Sequence, residues 1–231
     1  MHRETWLVTG ASRGIGLALV KELLRRGIDV IGACRNPEGE RDLWEIKSDY
    51  KGRFELLQID VTNGESVKKL AKALQGRRID VLVNNAGVLK DGGKPLLELD
   101  AVAVKQSFDV NSIGPMIVTR ELLPNLKLAP EAKIVNITSL MGSMADNSSG
   151  GYYGYRMSKA ALNMFSVCLA KELTNMTVLA LHPGWVKTDM GGPQAPTEVM
   201  ESAEGLINVI QQATRKDSGR YLDFRGKELP W

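Results

Sequence analysis

Six short runs of nearly continuous apolar, β-branched character recur along the chain: "TWLVTG" (5–10), "DVIGAC" (29–34), "FELLQID" (54–60), "DVLVNNAG" (80–87), "KIVNITS" (133–139) and "TVLALHPG" (177–184). A strand covered on one face alternates apolar and polar residues, whereas a strand covered on both is apolar throughout. These runs therefore predict a buried parallel sheet. The segments between them follow a helical period. Ile15, Leu19, Leu23 and Leu24 share one stripe of 14–26, and Val67, Leu70 and Leu74 share one of 65–75. Longer helical patterns cover 101–127 and 155–173, and 197–213 supplies a last helix before "GRYLDF" (219–224). Strands alternating with helices imply right-handed crossovers. The expected fold class is α/β: one doubly wound, Rossmann-type parallel sheet with helices on both faces. The most loop-like stretch, "GGPQAPT" (191–197), is too short to divide the chain, so a single domain over 1–231 is expected.

Composition narrows this picture by exclusion. The 231 residues suffice for one full core, and 43% hydrophobic with 25% charged residues is ordinary for a globular protein. Thirty basic against 27 acidic side chains leave a net charge of +3, and no dense basic run marks a nucleic-acid surface. No stretch reaches the roughly 18 apolar residues of a membrane span. "MHRETWLVTG" enters a strand pattern with no signal-peptide apolar region. Cys34 and Cys168 lie far apart, in segments that read as buried, which fits a reducing compartment. A cytoplasmic protein without membrane, nucleic-acid or metal partners is expected.

The turn "VTGASRGIG" (8–16) joins the first strand to the first helix with glycines at 10, 14 and 16. Glycine lets the backbone turn sharply and lets a pyrophosphate approach the helix N-terminus, where free N–H groups and the dipole favour negative charge. In this strand–turn–helix setting the motif predicts dinucleotide binding by Gly10, Ser12, Arg13, Gly14, Ile15 and Gly16. A site selective for NAD carries a carboxylate at the end of the second strand. Here that strand ends in Cys34 and Arg35. Two cations, Arg35 and Arg13, suit a 2′-phosphate and point to NADP(H).

The T-G-x-x-x-G-x-G spacing, Thr9 to Gly16, resembles that of the short-chain dehydrogenase/reductase family. The resemblance implies that Asp60 and Val61 border the adenine, and that Asn84, Ala86 and Gly87 of "NNAG" lie beneath the cofactor. It also implies that Pro183, Gly184, Val186 and Thr188 line the nicotinamide.

Reduction of a carbonyl leaves negative charge on oxygen, so the site needs a proton and stabilising donors. "GGYYGYRMSK" (150–159) offers three tyrosines. On a helix the residue four positions on shares the same face. Tyr155 then has Lys159, Tyr153 has Met157, and Tyr152 has Arg156, which makes Tyr152 a rival by charge alone. Lysine is the better partner because it can release and regain protons, and a neighbouring cation lowers a tyrosine pKa. Tyr155-x-x-x-Lys159 also matches the family's Y-x-x-x-K motif. Ser139, at the end of the fifth run, is preferred over Ser143, Ser148 and Ser149 as the serine that orients a substrate carbonyl. Its sixteen-residue separation from Tyr155 is longer than the family pattern.

The resemblance further assigns Asn111, in "FDVNSIG" on a long helix, to a water linked to the lysine. His182 is read as structural. Met141, Met144, Tyr152, Trp185 and Met190 are candidate substrate contacts, since flexible thioethers and aromatics suit a permissive apolar pocket.

"SGGYYGYRMSKAALNM", "LHPGWVKTDMGG" and "GKELPW" are similar to the C-factor and sniffer-like carbonyl reductase branch. That similarity implies NADPH-dependent reduction of aldehydes, ketones, quinones or dicarbonyls. A signalling or regulatory nucleotide-binding role without required turnover is the alternative. The family often pairs subunits through its two long helices, so a homodimer or homotetramer is compatible with the resemblance.

Overall fold

A computed structural model describes residues 3–231. Its centre is a parallel sheet of seven strands: β1 (Thr5–Thr9), β2 (Asp29–Cys34), β3 (Phe54–Gln58), β4 (Val81–Asn84), β5 (Lys133–Ile137), β6 (Thr177–His182) and β7 (Tyr221–Asp223). The strand order is β3-β2-β1-β4-β5-β6-β7, so the direction of winding reverses between β1 and β4. Trp6, Leu7 and Val8 of β1 stand beside Val81, Leu82 and Val83 of β4. All six expected strands are present, each ending at or before its predicted boundary, and β7 adds an edge that the sequence pattern left unassigned.

Continuous hydrophobicity in the strands reflects burial on both faces. Trp6, Val8, Val81, Val83, Val135 and Leu179 pack into one core; Leu7, Leu82, Ile134 and Val178, one residue out of phase, pack into the other. Helices α1 (Gly14–Arg25), α2 (Arg41–Asp49) and α7 (Val199–Gln212) cover the first core through Leu19, Leu23, Leu43, Leu206 and Ile210. On the opposite face α3 (Gly64–Ala73), α5 (Gly114–Leu126) and α6 (Tyr153–Glu172) contribute Val67, Leu70, Val118, Leu122 and Leu169. The short α2, rich in charge and absent from the predicted elements, buries only Leu43 and Ile46.

The single helix expected over 101–127 is interrupted. Its first part, α4 (Ala101–Phe108), passes through a π turn at Asp109–Ile113 before α5 begins. A π turn accommodates an extra residue and redirects the side chains it carries. Here it buries Asn111 and Ser112. Cys168 is also a correction: it lies on an exposed position of α6, while Cys34 is buried, and both are free thiols. On α6 the buried positions beside it are Ser166 and Leu169, and Cys168 takes the solvent side between them.

Beneath the sheet, β4 and β5 carry a buried polar bridge. Asn84 and Asn136 are register partners. The Asn84 amide donates to Asn136 Oδ1 (2.9 Å) and to Thr119 Oγ1 (3.1 Å), and the Asn136 amide donates to Ser166 Oγ (2.8 Å). These bonds tie α5 and α6 to the strands that support the site. Truncating Asn136 to alanine would leave the Asn84 amide and Ser166 short of partners in a dry interior. An Asn136→Ala variant is expected to lose about 2–4 kcal/mol of stability, measured by urea unfolding against the wild type.

Candidate active site

In a parallel sheet, all the strand ends that carry loops toward one edge lie together, and a crevice opens where the winding reverses. That crevice is a cleft of about 630 Å³. The glycine turn, Arg35, Asp60, Val61, Ala86, Gly87, Tyr155, Lys159, Pro183, Thr188 and Met190 all line it.

The turn needs its glycines for identifiable reasons. Gly10 and Gly14 adopt φ of +66° and +52°, and a Cβ on Gly16 would fall 2.1 Å from the Gly10 carbonyl oxygen. The resulting approach of backbone to backbone leaves a shallow cradle at the start of α1. Its N-cap, Arg13, makes no side-chain capping bond, so the first N–H groups face the cleft without a protein acceptor from that residue. This cradle fits a dinucleotide pyrophosphate.

Thr9, which the sequence marks only as the start of the glycine motif, and Asn85, given no role there, hold the turn. Thr9 Oγ1 accepts from the Asn85 and Ala86 N–H groups at 3.0 and 3.2 Å. The Asn85 amide donates to the carbonyls of Thr9 (2.9 Å) and Gly10 (3.2 Å). Asn84 is the corresponding correction, because alternation along the strand turns its side chain into the Asn136 bridge and away from the cleft.

Arg13 forms an exposed ion pair with Asp189 at 3.1 Å. Arg35 is exposed and makes no ion pair among the described residues. The Asp60 carboxylate folds back onto Thr62, accepting from its N–H (2.9 Å) and its hydroxyl (2.7 Å). Gly184 and Val186 stand behind the lining. Gly184, at φ +89°, lies against Phe224, and Val186 bridges to Thr197. Thr188 leans on the glycine turn, its Cγ2 within 3.3 Å of where a Gly14 Cβ would stand.

At the inner end, Lys159 Nζ donates to the Ile137 carbonyl at 2.8 Å and lies 5.8 Å from the centre of the Tyr155 ring. Burial alone brings the Lys159 pKa down to about 8, close to where proton exchange is easy. Burial also pushes the Tyr155 phenol up, and a hydrogen bond with Ser139 opposes this. Burial is the larger of these two influences, and the lowering by Lys159 expected from the sequence is not among them. Asn111 is fully buried. Its amide donates to the Val88 carbonyl (2.9 Å) and Ser158 Oγ (3.0 Å), and its Oδ1 accepts from the Val88 N–H (2.8 Å). A Cβ on Gly87 would stand 3.4 Å from Asn111 Oδ1 and 3.6 Å from Lys159 Nζ, so both groups border one space above Gly87.

Ser139 lies two residues beyond β5 and caps a short 3-10 turn at Leu140–Gly142. Two of the three rival serines have other work. Ser143 donates to the Trp231 carbonyl, and Ser149 accepts from Arg156. Arg156 also reaches the Gly150 and Met141 carbonyls, so it pins the loop rather than serving the Tyr152 phenol. Tyr152 has a left-handed backbone, φ 49°, and lays its ring over Gly93. Met144, Trp185 and Met190 are exposed; of the five expected substrate contacts, only Met190 lines the cleft itself.

Asp91 is a site-supporting residue that no sequence signal marked. It is buried, and its Oδ2 accepts the Gly154 N–H at 2.9 Å, capping α6 from a loop 63 positions away.

His182 is structural in this arrangement: its Nδ1 accepts the Leu140 N–H at 3.1 Å, and burial lowers its pKa from 6.5 to about 4. A protonated imidazole cannot accept that bond. Its contribution to stability is complete above pH 6.5 and is lost as pH falls toward 4. His182→Asn, which keeps an acceptor and removes the titration, should flatten the slope of stability against pH across that window in denaturant melts.

A family profile described as short chain dehydrogenase matches residues 4–199. C-signal of Myxococcus xanthus is 42% identical over 155 residues, spanning 66% of this chain and 93% of that protein. Among solved structures, the NADPH-bound carbonyl reductase from chicken fatty liver superposes with a TM-score of 0.93 at 34% identity, covering 100% of both chains. The carbonyl reductase Sniffer of D. melanogaster gives 0.93 at 31% identity, again with full coverage of both.

Proposed function

The chain belongs to the short-chain dehydrogenase family and is a carbonyl reductase-like oxidoreductase, and on that premise we propose that it reduces aldehydes, ketones, quinones or dicarbonyls with NADPH. One observation carries this reading. The Tyr155 phenol, hydrogen-bonded with Ser139, and the buried Lys159 line the inner end of the same cleft that begins at the glycine turn. The cradle described above suits the nucleotide, and one structural neighbour bound to NADPH and another in complex with NADP support the choice of cofactor.

When bound, NADPH supplies the hydride. The chain's own groups handle the charge that reduction creates. The Ser139 hydroxyl orients the carbonyl oxygen, and Tyr155 gives that oxygen its proton. A phenol held above its ordinary pKa stays protonated at neutral pH and is ready to donate. Lys159, with a pKa near 8, can return a proton to the tyrosine, and Asn111 stands beside the space through which such a proton would be resupplied. Arg35 would pair with a 2′-phosphate without first breaking an ion pair, whereas Arg13 must leave Asp189. The two free cysteines fit a reducing, cytoplasmic setting.

The likeness to C-signal motivates a second reading, a signalling role without turnover. The buried set of Asn111, Ser139, Tyr155 and Lys159 weighs against it, because nucleotide sensing alone has no use for a proton donor.

Tyr155→Phe should lower kcat for carbonyl reduction by about 10²-fold or more while leaving NADPH affinity near wild type. Full activity in that variant would sink the assignment, and a signalling role independent of turnover would survive the substitution. Arg35→Asp should weaken NADPH by roughly 10- to 100-fold and NADH far less, read by fluorescence titration with each nucleotide. Unchanged selectivity would shift the role to Arg13.

A further inference from the structure

The segment 139–145 carries Ser139, Met141 and Met144, and it is held from two sides. On one side is α6. Thr138 Oγ1 donates to Asn163 Oδ1 (2.6 Å), the Asn163 amide donates to the Gly142 carbonyl (3.2 Å), and Arg156 donates to the Met141 carbonyl (3.4 Å). On the other side is the stretch that follows β6. The fully buried Tyr221 donates its hydroxyl to the Ser139 carbonyl at 2.6 Å. Past β7 the chain turns, with the Asp223 N–H bonded to the Lys227 carbonyl and the Leu229 N–H to the Tyr221 carbonyl, both at 2.9 Å. This hairpin brings the Trp231 ring onto Tyr221, with centroids 5.1 Å apart and planes at 30°. The Trp231 carbonyl then accepts from the Ala145 N–H (2.9 Å) and the Ser143 hydroxyl (3.2 Å).

We propose that residues 221–231 form a clasp on the 139–145 segment, and that Trp231 is a positioning residue that sets how well the site accepts bulky apolar carbonyl compounds. The specificity half of this inference rests on the reductase reading; the clasp itself does not.

The two sides are unequal in strength. The α6 side rests on a 20-residue helix with one buried face that runs from Gly154 to Leu169. The clasp side hangs from a three-residue edge strand and a tryptophan that is 40% exposed. Segments with few buried contacts and exposed hydrogen bonds open first. The clasp is therefore the side that governs how far the segment can move away from α6. Met144, 76% exposed within the held segment, offers its thioether to large apolar substrates, whereas a small aldehyde reaching Ser139 and Tyr155 has less need of it. Loosening the clasp penalises large substrates more than small ones.

The test compares Trp231→Ala, Trp231→Phe and Tyr221→Phe with the wild type. Hydrogen exchange is followed over 140–146, and kinetics are measured with a bulky aromatic ketone and a small aldehyde. In Trp231→Ala, exchange over 140–146 should quicken by about tenfold, and kcat/KM for the bulky ketone should fall by about tenfold through KM. The small aldehyde should stay within about twofold, and NADPH affinity should hold. Trp231→Phe, which restores a stacking ring, should lie near the wild type. Tyr221→Phe keeps the ring and loses only the hydroxyl, so it should lower kcat for both substrates by releasing the Ser139 carbonyl.

Unchanged exchange in Trp231→Ala would overturn the clasp. Equal losses for both substrates, or a Trp231→Phe variant as impaired as Trp231→Ala, would overturn the positioning role. A wild-type protein that reduces no carbonyl compound would refute the reductase reading and the specificity half, while the exchange data would still decide the clasp.

Discussion

Everything in the site depends on the hydrogen bonds that join the end of β1 to the end of β4. These strands meet where the winding reverses, and a parallel sheet with that order leaves a crevice between their outgoing loops. Thr9 Oγ1 and the Asn85 amide together make four bonds across the gap, using backbone groups that strand pairing has left over. With the turn thus fixed, the Gly10 carbonyl can lie where a side chain on residue 16 would clash, and the start of α1 is opened toward the cleft. The shape of the cleft is in this sense a property of how two strand ends are fastened together.

The proposed chemistry depends on a second anchor, α6. One helix places Tyr155 and Lys159 on the face turned to the cleft, and it also holds the loop that carries Ser139. Gly142 packs so closely on the Lys159 backbone that a Cβ there would come within 2.9 Å of its carbonyl carbon. The helix start is fixed from outside by Asp91, which places negative charge at the positive end of the helix dipole. Burial then sets the protonation states: it lowers the lysine and raises the phenol, so each moves toward its neutral form. Tyr153, two residues before Tyr155 and so on another face of α6, and Tyr152, which precedes the helix, share none of this environment, and both remain partly exposed.

Local pattern revealed much of the architecture. Five of the six predicted strands show themselves because a strand buried on both faces is apolar at nearly every position; β3, at the sheet edge, instead alternates buried and partly exposed residues. The long helix that breaks at residues 109–113 was invisible for the opposite reason. A π turn changes neither hydrophobic period nor composition enough to register, and it is stabilised by contacts from Asn111 to Val88, 23 positions away. The short α2 shows a weak pattern because only Leu43 and Ile46 of its nine residues are buried, and β7, although Tyr221 and Leu222 are buried, is too short at three residues to show a period.

For this protein, the order of residues by itself determined the strand–helix alternation, the glycine turn, the absence of an acid after the second strand and the pairing of Tyr155 with Lys159. All of these are short-range: they follow from periods of two and 3.6 residues and from neighbours four apart. Only the tertiary structure decided that Asn84 faces inward while Asn85 holds the turn, that Arg156 serves a loop, that Asp91 caps α6 and that Trp231 closes over Tyr221. These are contacts between segments distant in sequence. Their partners are chosen by how strands and helices pack, which no local window of residues contains.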